Sequence, residues 1–400
     1  MAKPALRISR IKMQNWMNFL ELDVPLSTRA FLVGPNASGK SNFLDSVLFL
    51  HDLVASGGGL ARAVESRGGM KGVRSLFARR QPEVSLAVEV TDSEGNGWRY
   101  ALSFTQQDPK SNAPRVIQEL VETIAVSGQN KVILKRPDTE DRKDPERTTQ
   151  TAMEQVTANR DFRQLAEFFR SIQYLHAVPH LIREGLAAPD HRIGQDPYGR
   201  DLLKRISETN PRSRESRLKK IEIALEQITP QLRDLELCRD VQGRPHLQAR
   251  FEHWRPQGAF QQETQFSDGT LRLIGLFWSL LDDGGPLLLE EPELSLHSQV
   301  VQQLAPLIHR LQQRGRPRER DGQRQILLST HSVELLSDEG IAPEEIVLIM
   351  PGKEGSRAAV GHRVKEVRET MEAGLPAAAA VRRTVSSSPR QLSLQFDGRS

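Results

Sequence analysis

Gly34, Gly39, Lys40 and Ser41 stand at GxxxxGKS spacing in the run Gly34-Pro35-Asn36-Ala37-Ser38-Gly39-Lys40-Ser41-Asn42. The apolar run Ala30-Phe31-Leu32-Val33 precedes it and the amphipathic run Phe43 to Leu50 follows. Strand, glycine-rich turn and helix in that order let successive backbone N–H groups converge on phosphate, with the helix N-terminus adding its dipole. Lys40 would reach the β- and γ-phosphates of ATP, and the Ser41 hydroxyl would take one Mg²⁺ position. The plain alternative is a glycine-rich turn that happens to carry a lysine.

Three later clusters could complete such a site. Pro286 to Leu289 is an apolar strand ending in Glu290-Glu291-Pro292. The first acid can hold hydrated Mg²⁺ and the second can orient or deprotonate a water, although a strand stopped by Glu-Glu-Pro can be no more than a solvated strand end. Leu327 to Ser332 is a second apolar strand, ending in Thr330-His331. His331 could bond a γ-phosphate or the attacking water, or be an ordinary surface or core histidine. Phe266-Ser267-Asp268-Gly269-Thr270 precedes the apolar run Leu271 to Trp278. Ser267 fits a helix N-cap, and with Gly269 and backbone N–H groups it could form a second anion site.

The elements that must position these groups follow from patterning. The start alternates apolar and polar residues as half-buried strands do, with Leu6, Ile8, Ile11 and Met13 apolar. Four strand-like runs over 84–134 read as an antiparallel sheet behind the phosphate loop, and Ser56 to Gly69 reads as a mobile loop. Lys135 to Asn159 reads as a solvated, mixed-charge loop. Phe162 to Ile172, Leu202 to Ile206 and Arg214 to Leu237 read as helical, the last with Leu218, Ile221, Leu225, Ile228, Leu232 and Leu235 at three- and four-residue spacing and broken at Pro230. From 246 on, strands and helices alternate to Ile346–Met350, which suggests a parallel sheet. The expected division is 1–105, 106–245, 246–352 and 353–400, with disorder from about residue 382.

Bulk properties narrow the setting. The 400 residues are 38% hydrophobic, enough for a real core, and carry a net charge of +4. An isoelectric point near 9.2 permits nucleic-acid binding without requiring it. The single Cys238, the lack of a bilayer-length apolar run and the N-terminus Met1-Ala2-Lys3-Pro4-Ala5 point to a cytoplasmic protein without a membrane partner.

Taken together, the four motifs resemble the ATPase heads of the ABC superfamily, in that family's order: P-loop, signature, Walker B with D-loop, then switch histidine. The resemblance implies an α/β P-loop NTPase with an ABC-type head: a mixed, largely parallel core sheet, an antiparallel β subdomain and a helical lobe. The GKSN ending, the segment Asn15-Trp16-Met17-Asn18-Phe19 and the EEPE…LH and STHS forms are similar to the RecF, SMC and OLD side. They are most similar to compact OLD-like AAA ATPases of prokaryotic phage-defence systems. It implies that Lys40 and Ser41 bind ATP and Mg²⁺, that Glu291 is the catalytic base, and that His331 senses the γ-phosphate. Ser267 and Gly269 would contact ATP held by an opposite subunit, giving a homodimer or higher oligomer with nucleotide sandwiched between heads. Glu290 stands where Asp is usual, which lengthens the reach to Mg²⁺ by a methylene. Asp268 stands where a second glycine is common and could repel phosphate. Gln173 is the candidate for the family's Q-loop residue at the metal.

OLD nucleases carry a TOPRIM domain after the ATPase, and no such acidic constellation follows Met350 here. The expected output is therefore a DNA-related effector, such as a nuclease, supplied in trans. The setting would be phage defence or genome maintenance. A nucleotide-stabilised scaffold with dispensable hydrolysis and a RecF-like DNA repair ATPase are the alternatives; the signature argues against a transporter subunit. Basic segments at 212–220 and 310–324 could contact DNA phosphates or be solvated. Gln391, Leu394 and Phe396 in the tail resemble the peptide by which bacterial replication proteins hold the sliding clamp; they could instead add an edge strand.

Overall fold

A computed structural model describes residues 5–78, 82–108, 111–185, 196–226, 228–252, 259–282, 284–314 and 323–386. The apolar runs become the centre of the molecule. Strand β3 (Arg29–Val33) is buried at every position, as expected for a parallel strand covered on both faces. It lies inside a six-stranded sheet ordered β15-β14-β3-β13-β12-β8. The other members are β8 (Gln173–Leu175), β12 (Leu287–Glu290), β13 (Ile326–Thr330), β14 (Ile346–Met350) and β15 (Arg357–Val360). All are parallel except β15, which pairs antiparallel with β14.

Alternate residues of these strands feed two cores. Ala30, Leu32, Leu288 and Leu327 face helix α1 (Lys40–Val54) and a second sheet, whereas Phe31, Val33, Leu287, Leu289 and Leu328 face a helical lobe. The second sheet is antiparallel, ordered β2-β1-β4-β5-β6-β7. It comprises β1 (Arg7–Trp16), β2 (Phe19–Pro25), β4 (Val84–Thr91), β5 (Gly97–Asp108), β6 (Ser111–Ile124) and β7 (Val132–Arg136). Buried Gln325 ties the sheets together: its amide exchanges 2.8 Å hydrogen bonds with the backbone of Ile8 and donates to Ser27 O at 3.0 Å. A third sheet holds β9 (Leu232–Arg239), β10 (Pro245–Phe251) and β11 (Ala259–Gln262).

In chain order the remaining helices are α2 (Leu60–Glu65), α3 (Met70–Val73), α4 (Thr139–Lys143), α5 (Arg163–Arg170), α6 (Pro179–Glu184), α7 (Leu202–Glu208), α8 (Pro211–Leu225), α9 (Asp268–Leu281), α10 (Ser298–Arg314), α11 (Lys365–Glu372) and α12 (Ala377–Ser386). Helices α8, α9 and α10 supply much of the helical lobe. Among the described residues no helix is long and apolar enough to cross a membrane.

Several expectations need correction. The helical pattern expected over Arg214 to Leu237 stops at Leu225, and Leu232–Arg239 is a strand. Asp234 takes φ +53° and the β9–β10 register shifts beside it, so a bulge turns Leu232 and Leu235 to the same side. Their three-residue spacing therefore imitates a helix. The glycine-rich stretch at 56–69 is not loose: α2 and α3 bury Leu60, Val64, Met70 and Val73, and Gly59 and Gly69 start them at φ +111° and +78°. The expected break at residue 105 falls inside β5, and the region after 352 begins with a strand of the central sheet. The tail is helical through Ser386, while the clamp-like residues Gln391, Leu394 and Phe396 and part of the basic segment at 310–324 lie outside the described residues.

The charged stretch at 135–159 is partly turned inward. The Arg136 guanidinium uses all five N–H groups, on both oxygens of Asp141, on Glu119, and on the carbonyls of Arg147 and Gln150. Glu119 also accepts from Tyr100 and from the backbone of Ala152 and Met153. Arg136 holds the Asp141 carboxyl down at about 2. The stability this contributes, about 2.5 kcal/mol, is complete above the unfolded value near 4 and disappears as pH falls toward 2. Asp141→Asn should flatten the fall of the urea midpoint between pH 5 and pH 2. Arg136→Met should lower stability at pH 7 by roughly 3–5 kcal/mol, because two buried carboxylates lose their partner.

Candidate functional site

Polar residues that end parallel strands emerge together at one edge of the central sheet. The register sets Val33 beside Thr330, and Ser329 beside Glu290, so Gly34, Glu291 and His331 follow at nearly one level. This carboxyl-end edge is where open α/β sheets place ligands.

At the end of β3 the chain folds into a tight loop before α1. A Cβ on Gly34 would stand 2.1 Å from the carbonyl oxygen of Ile349. Gly39 has φ +106°, and a Cβ there would stand 2.1 Å from the Asn18 amide. Both glycines are therefore sterically required. Pro35 is half-buried, and Asn36 and Ala37 form the exposed tip, Ala37 with φ +60°. Ser38 is buried and donates its N–H to Pro35 O at 3.2 Å. The Asn18 amide bridges Ser38 O (2.9 Å), Ser356 Oγ (2.7 Å) and Asn42 Nδ2 (2.9 Å), clamping loop, helix and β15 segment together. Trp16 Nε1 donates to Asn42 O at 3.0 Å.

Lys40 is 6% exposed, with Nζ donating to Gly34 O at 3.0 Å and Pro35 O at 3.1 Å. Burial lowers its pKa, while Glu291, Glu293 and Glu290 oppose that shift. The Ser41 hydroxyl donates to Glu290 Oε1, and the Tyr174 hydroxyl to Glu290 Oε2. The imidazole of His176 meets Glu290 O at 3.2 Å. Burial and the adjacent carboxylate hold the Tyr174 phenol far above its usual pKa, so it remains a donor.

Glu291 follows with φ +42°, a costly conformation for a residue with a Cβ, and its N–H is fixed on Ser329 O at 3.1 Å. Its Oε1 lies 3.2 Å from His331 Nδ1. Behind this pair Glu293 is 6% exposed, accepting from Thr330 Oγ1 at 2.5 Å and from His331 N at 3.4 Å. Burial raises its pKa, and its Oε2 is buried without a hydrogen-bond partner among the described residues.

Ser267 caps α9, accepting from Thr270 N at 3.2 Å. A Cβ on Gly269 would meet Leu296 and Ser295 O at 3.4 and 3.5 Å, so the cap lies against the segment that follows Glu293. Asp268 arrives paired: Arg183 Nη2 donates to it at 2.6 Å, which offsets the expected repulsion of phosphate. Among the described hydrogen bonds none joins Ser267 or Gly269 to the phosphate loop of the same chain.

Gln173 is not brought to the site. It pairs with Leu287 at the opposite end of β12, and its Oε1 accepts from Arg324 at 2.7 Å. Side chains alternate along β8, so the neighbour Tyr174 shares the Leu288 and Glu290 face instead. Tyr174, His176 and Asn18 are site residues that motif reading missed. Only the alternation of a three-residue strand distinguishes Tyr174 from Gln173 in the sequence.

Residues 29–337 match the family model described as "AAA domain, putative AbiEii toxin, Type IV TA system", and the chain belongs to that family. No curated protein sequence matches. Among solved structures, an SMC head bound to the C-terminal winged-helix domain of ScpA is 13% identical, with a TM-score of 0.51 over 88% of this chain and 96% of that one. An SMC head with an extended coiled coil, bound to the C-terminal domain of ScpA derived from Pyrococcus furiosus, is 11% identical, with a TM-score of 0.52 over 92% and 100%. The fold is that of an ABC-type P-loop ATPase head.

The Asn18 clamp makes a first test. Asn18→Ala removes three hydrogen bonds and should cost roughly 1–3 kcal/mol in urea unfolding. ATP affinity, read by titration with a fluorescent analogue, should weaken by about tenfold as the loop loosens.

Proposed function

We propose that this chain is an Mg²⁺-dependent ATPase of the OLD-like branch that binds ATP at Lys40 and Ser41 and assembles on it as a dimer. The convergence of Lys40, Ser41, Glu290, Glu291 and His331 at one sheet edge carries the reading. The glycine cradle and buried ammonium suit a polyphosphate. The neighbouring Ser41 hydroxyl and Glu290 carboxylate are the hard oxygen donors that Mg²⁺ takes beside phosphates. Bound there, the ion would neutralise phosphate charge.

The protein's own groups account for the rest. Lys40 exchanges its loop carbonyls for β- and γ-phosphate oxygens. Glu291 orients a water in line with the γ-phosphorus and accepts its proton as the bond to the β-bridging oxygen breaks. The contact between His331 Nδ1 and Glu291 Oε1 holds the two side chains together, so that the imidazole would stand beside the γ-phosphate. Ser267, Gly269 and the N-terminus of α9 on a second copy would close over the nucleotide. Contacts present only in that closed state would shift the population to the dimer, and hydrolysis would release it.

The output would be an effector supplied in trans, a nuclease or another DNA-acting protein, in cytoplasmic phage defence. The toxin and antitoxin system named in the family description supports a defence setting. Both SMC heads hold a separate ScpA domain, which supports a head of this fold engaging a second protein.

Lys40→Ala should abolish ATP binding while the protein stays folded. Glu291→Gln should bind ATP and accumulate as a dimer in size-exclusion light scattering. A monomer at saturating ATP in Glu291→Gln would contradict the mechanism.

A further inference from the structure

We propose that Tyr174 is the positioning residue for the Glu290 carboxylate, correcting for the additional methylene that glutamate has over aspartate. The inference rests on the nucleotide site proposed above.

Strands β8 and β12 are parallel, with Tyr174 opposite Leu288. Glu290 lies two residues beyond Leu288 and so on the same face of the sheet. That diagonal separation is within reach of an aromatic side chain and beyond a short one. The tyrosine hydroxyl takes Glu290 Oε2, and the Ser41 hydroxyl takes Oε1. One carboxylate is thus fixed from two elements that flank it, the edge strand β8 and the first turn of α1.

A glutamate at a strand end has one more rotatable bond than aspartate, and the entropy of that bond must be overcome whenever the carboxylate is placed. Anchoring Oε2 on a ring packed against the α1 core removes that freedom. The other oxygen is left beside Ser41, where the two hard donors can share a cation. His176, on the same face of the chain, holds the main-chain carbonyl of Glu290 at 3.2 Å, so backbone and side chain are both fixed. Tyr174 itself does not need to touch nucleotide or metal.

Tyr174→Phe keeps the packed ring and deletes the donor. The full-length protein should be titrated with a fluorescent ATP analogue at increasing Mg²⁺. The Mg²⁺ concentration for half-maximal tightening should rise roughly tenfold, the lower end of the effect of losing one charge-assisted hydrogen bond. Nucleotide affinity without Mg²⁺ should change less than the Mg²⁺ dependence does, and the urea midpoint should fall only by the one hydrogen bond lost, with the fold retained. In a Glu290→Asp background the carboxylate is a methylene shorter and withdrawn from the ring, so adding Tyr174→Phe should change the Mg²⁺ dependence less than about twofold. An unchanged Mg²⁺ dependence in Tyr174→Phe overturns the inference. So does an equal loss in the Glu290→Asp background, which would mean that the tyrosine acts other than through this carboxylate. Wild-type protein whose ATP affinity ignores Mg²⁺ would overturn the underlying site as well.

Discussion

The arrangement depends on one constraint: strands β3, β13 and β12 are buried on both faces, apolar in their middles, and end at nearly the same level. Polar residues cannot enter such strands without losing hydration, so they collect where the strands stop. Backbone pairing of Val33 with Thr330 and of Ser329 with Glu290 then fixes their relative positions before any side chain interacts. The phosphate loop, the two acids and His331 are near one another because three apolar runs have matched lengths.

The edge created in this way is held by polar groups that are buried yet mostly satisfied. Asn18 locks the loop to β15, Ser329 anchors the Glu291 backbone, and Thr330 engages Glu293. Each interaction is worth about 1 kcal/mol alone, and each also removes a freedom that would blur the site. Some groups depart from that economy: Ala37 and Glu291 take strained backbone, and among the described residues Ser38 and Glu293 each keep a buried side-chain oxygen without a hydrogen-bond partner. Such departures concentrate where a protein does chemistry, and here they fall in the phosphate loop and in the segment that follows β12.

Much of this was legible in the sequence because the informative signals are local. Gly34 to Asn42 needs only a strand before it and a helix after it, and apolar runs ending in Glu290-Glu291 and Thr330-His331 declare a parallel sheet edge. What failed did so for identifiable reasons. A bulge at Asp234 gave a strand helical spacing. The charges of Arg136 and Asp141 look solvated until long-range partners turn them inward. Helices α2 and α3 are too short to show a period. Gln173 was one residue away from Tyr174, and a strand reverses its faces with each residue, so a one-residue error moved the choice to the opposite side of the sheet.

The phosphate loop and the α9 cap make no hydrogen bond to each other among the described residues, and the central claim is that ATP joins them across two copies. Inter-chain thiol crosslinking tests this directly, in a Cys238→Ser, Glu291→Gln background. Chains carrying Asn36→Cys at the exposed loop tip would be mixed with differently tagged chains carrying Gln265→Cys beside the cap. With ATP, a short crosslinker should join the two tags, and without ATP it should not. Absence of the mixed product from ATP-loaded protein, or its equal formation without ATP, would contradict a nucleotide site shared between two heads.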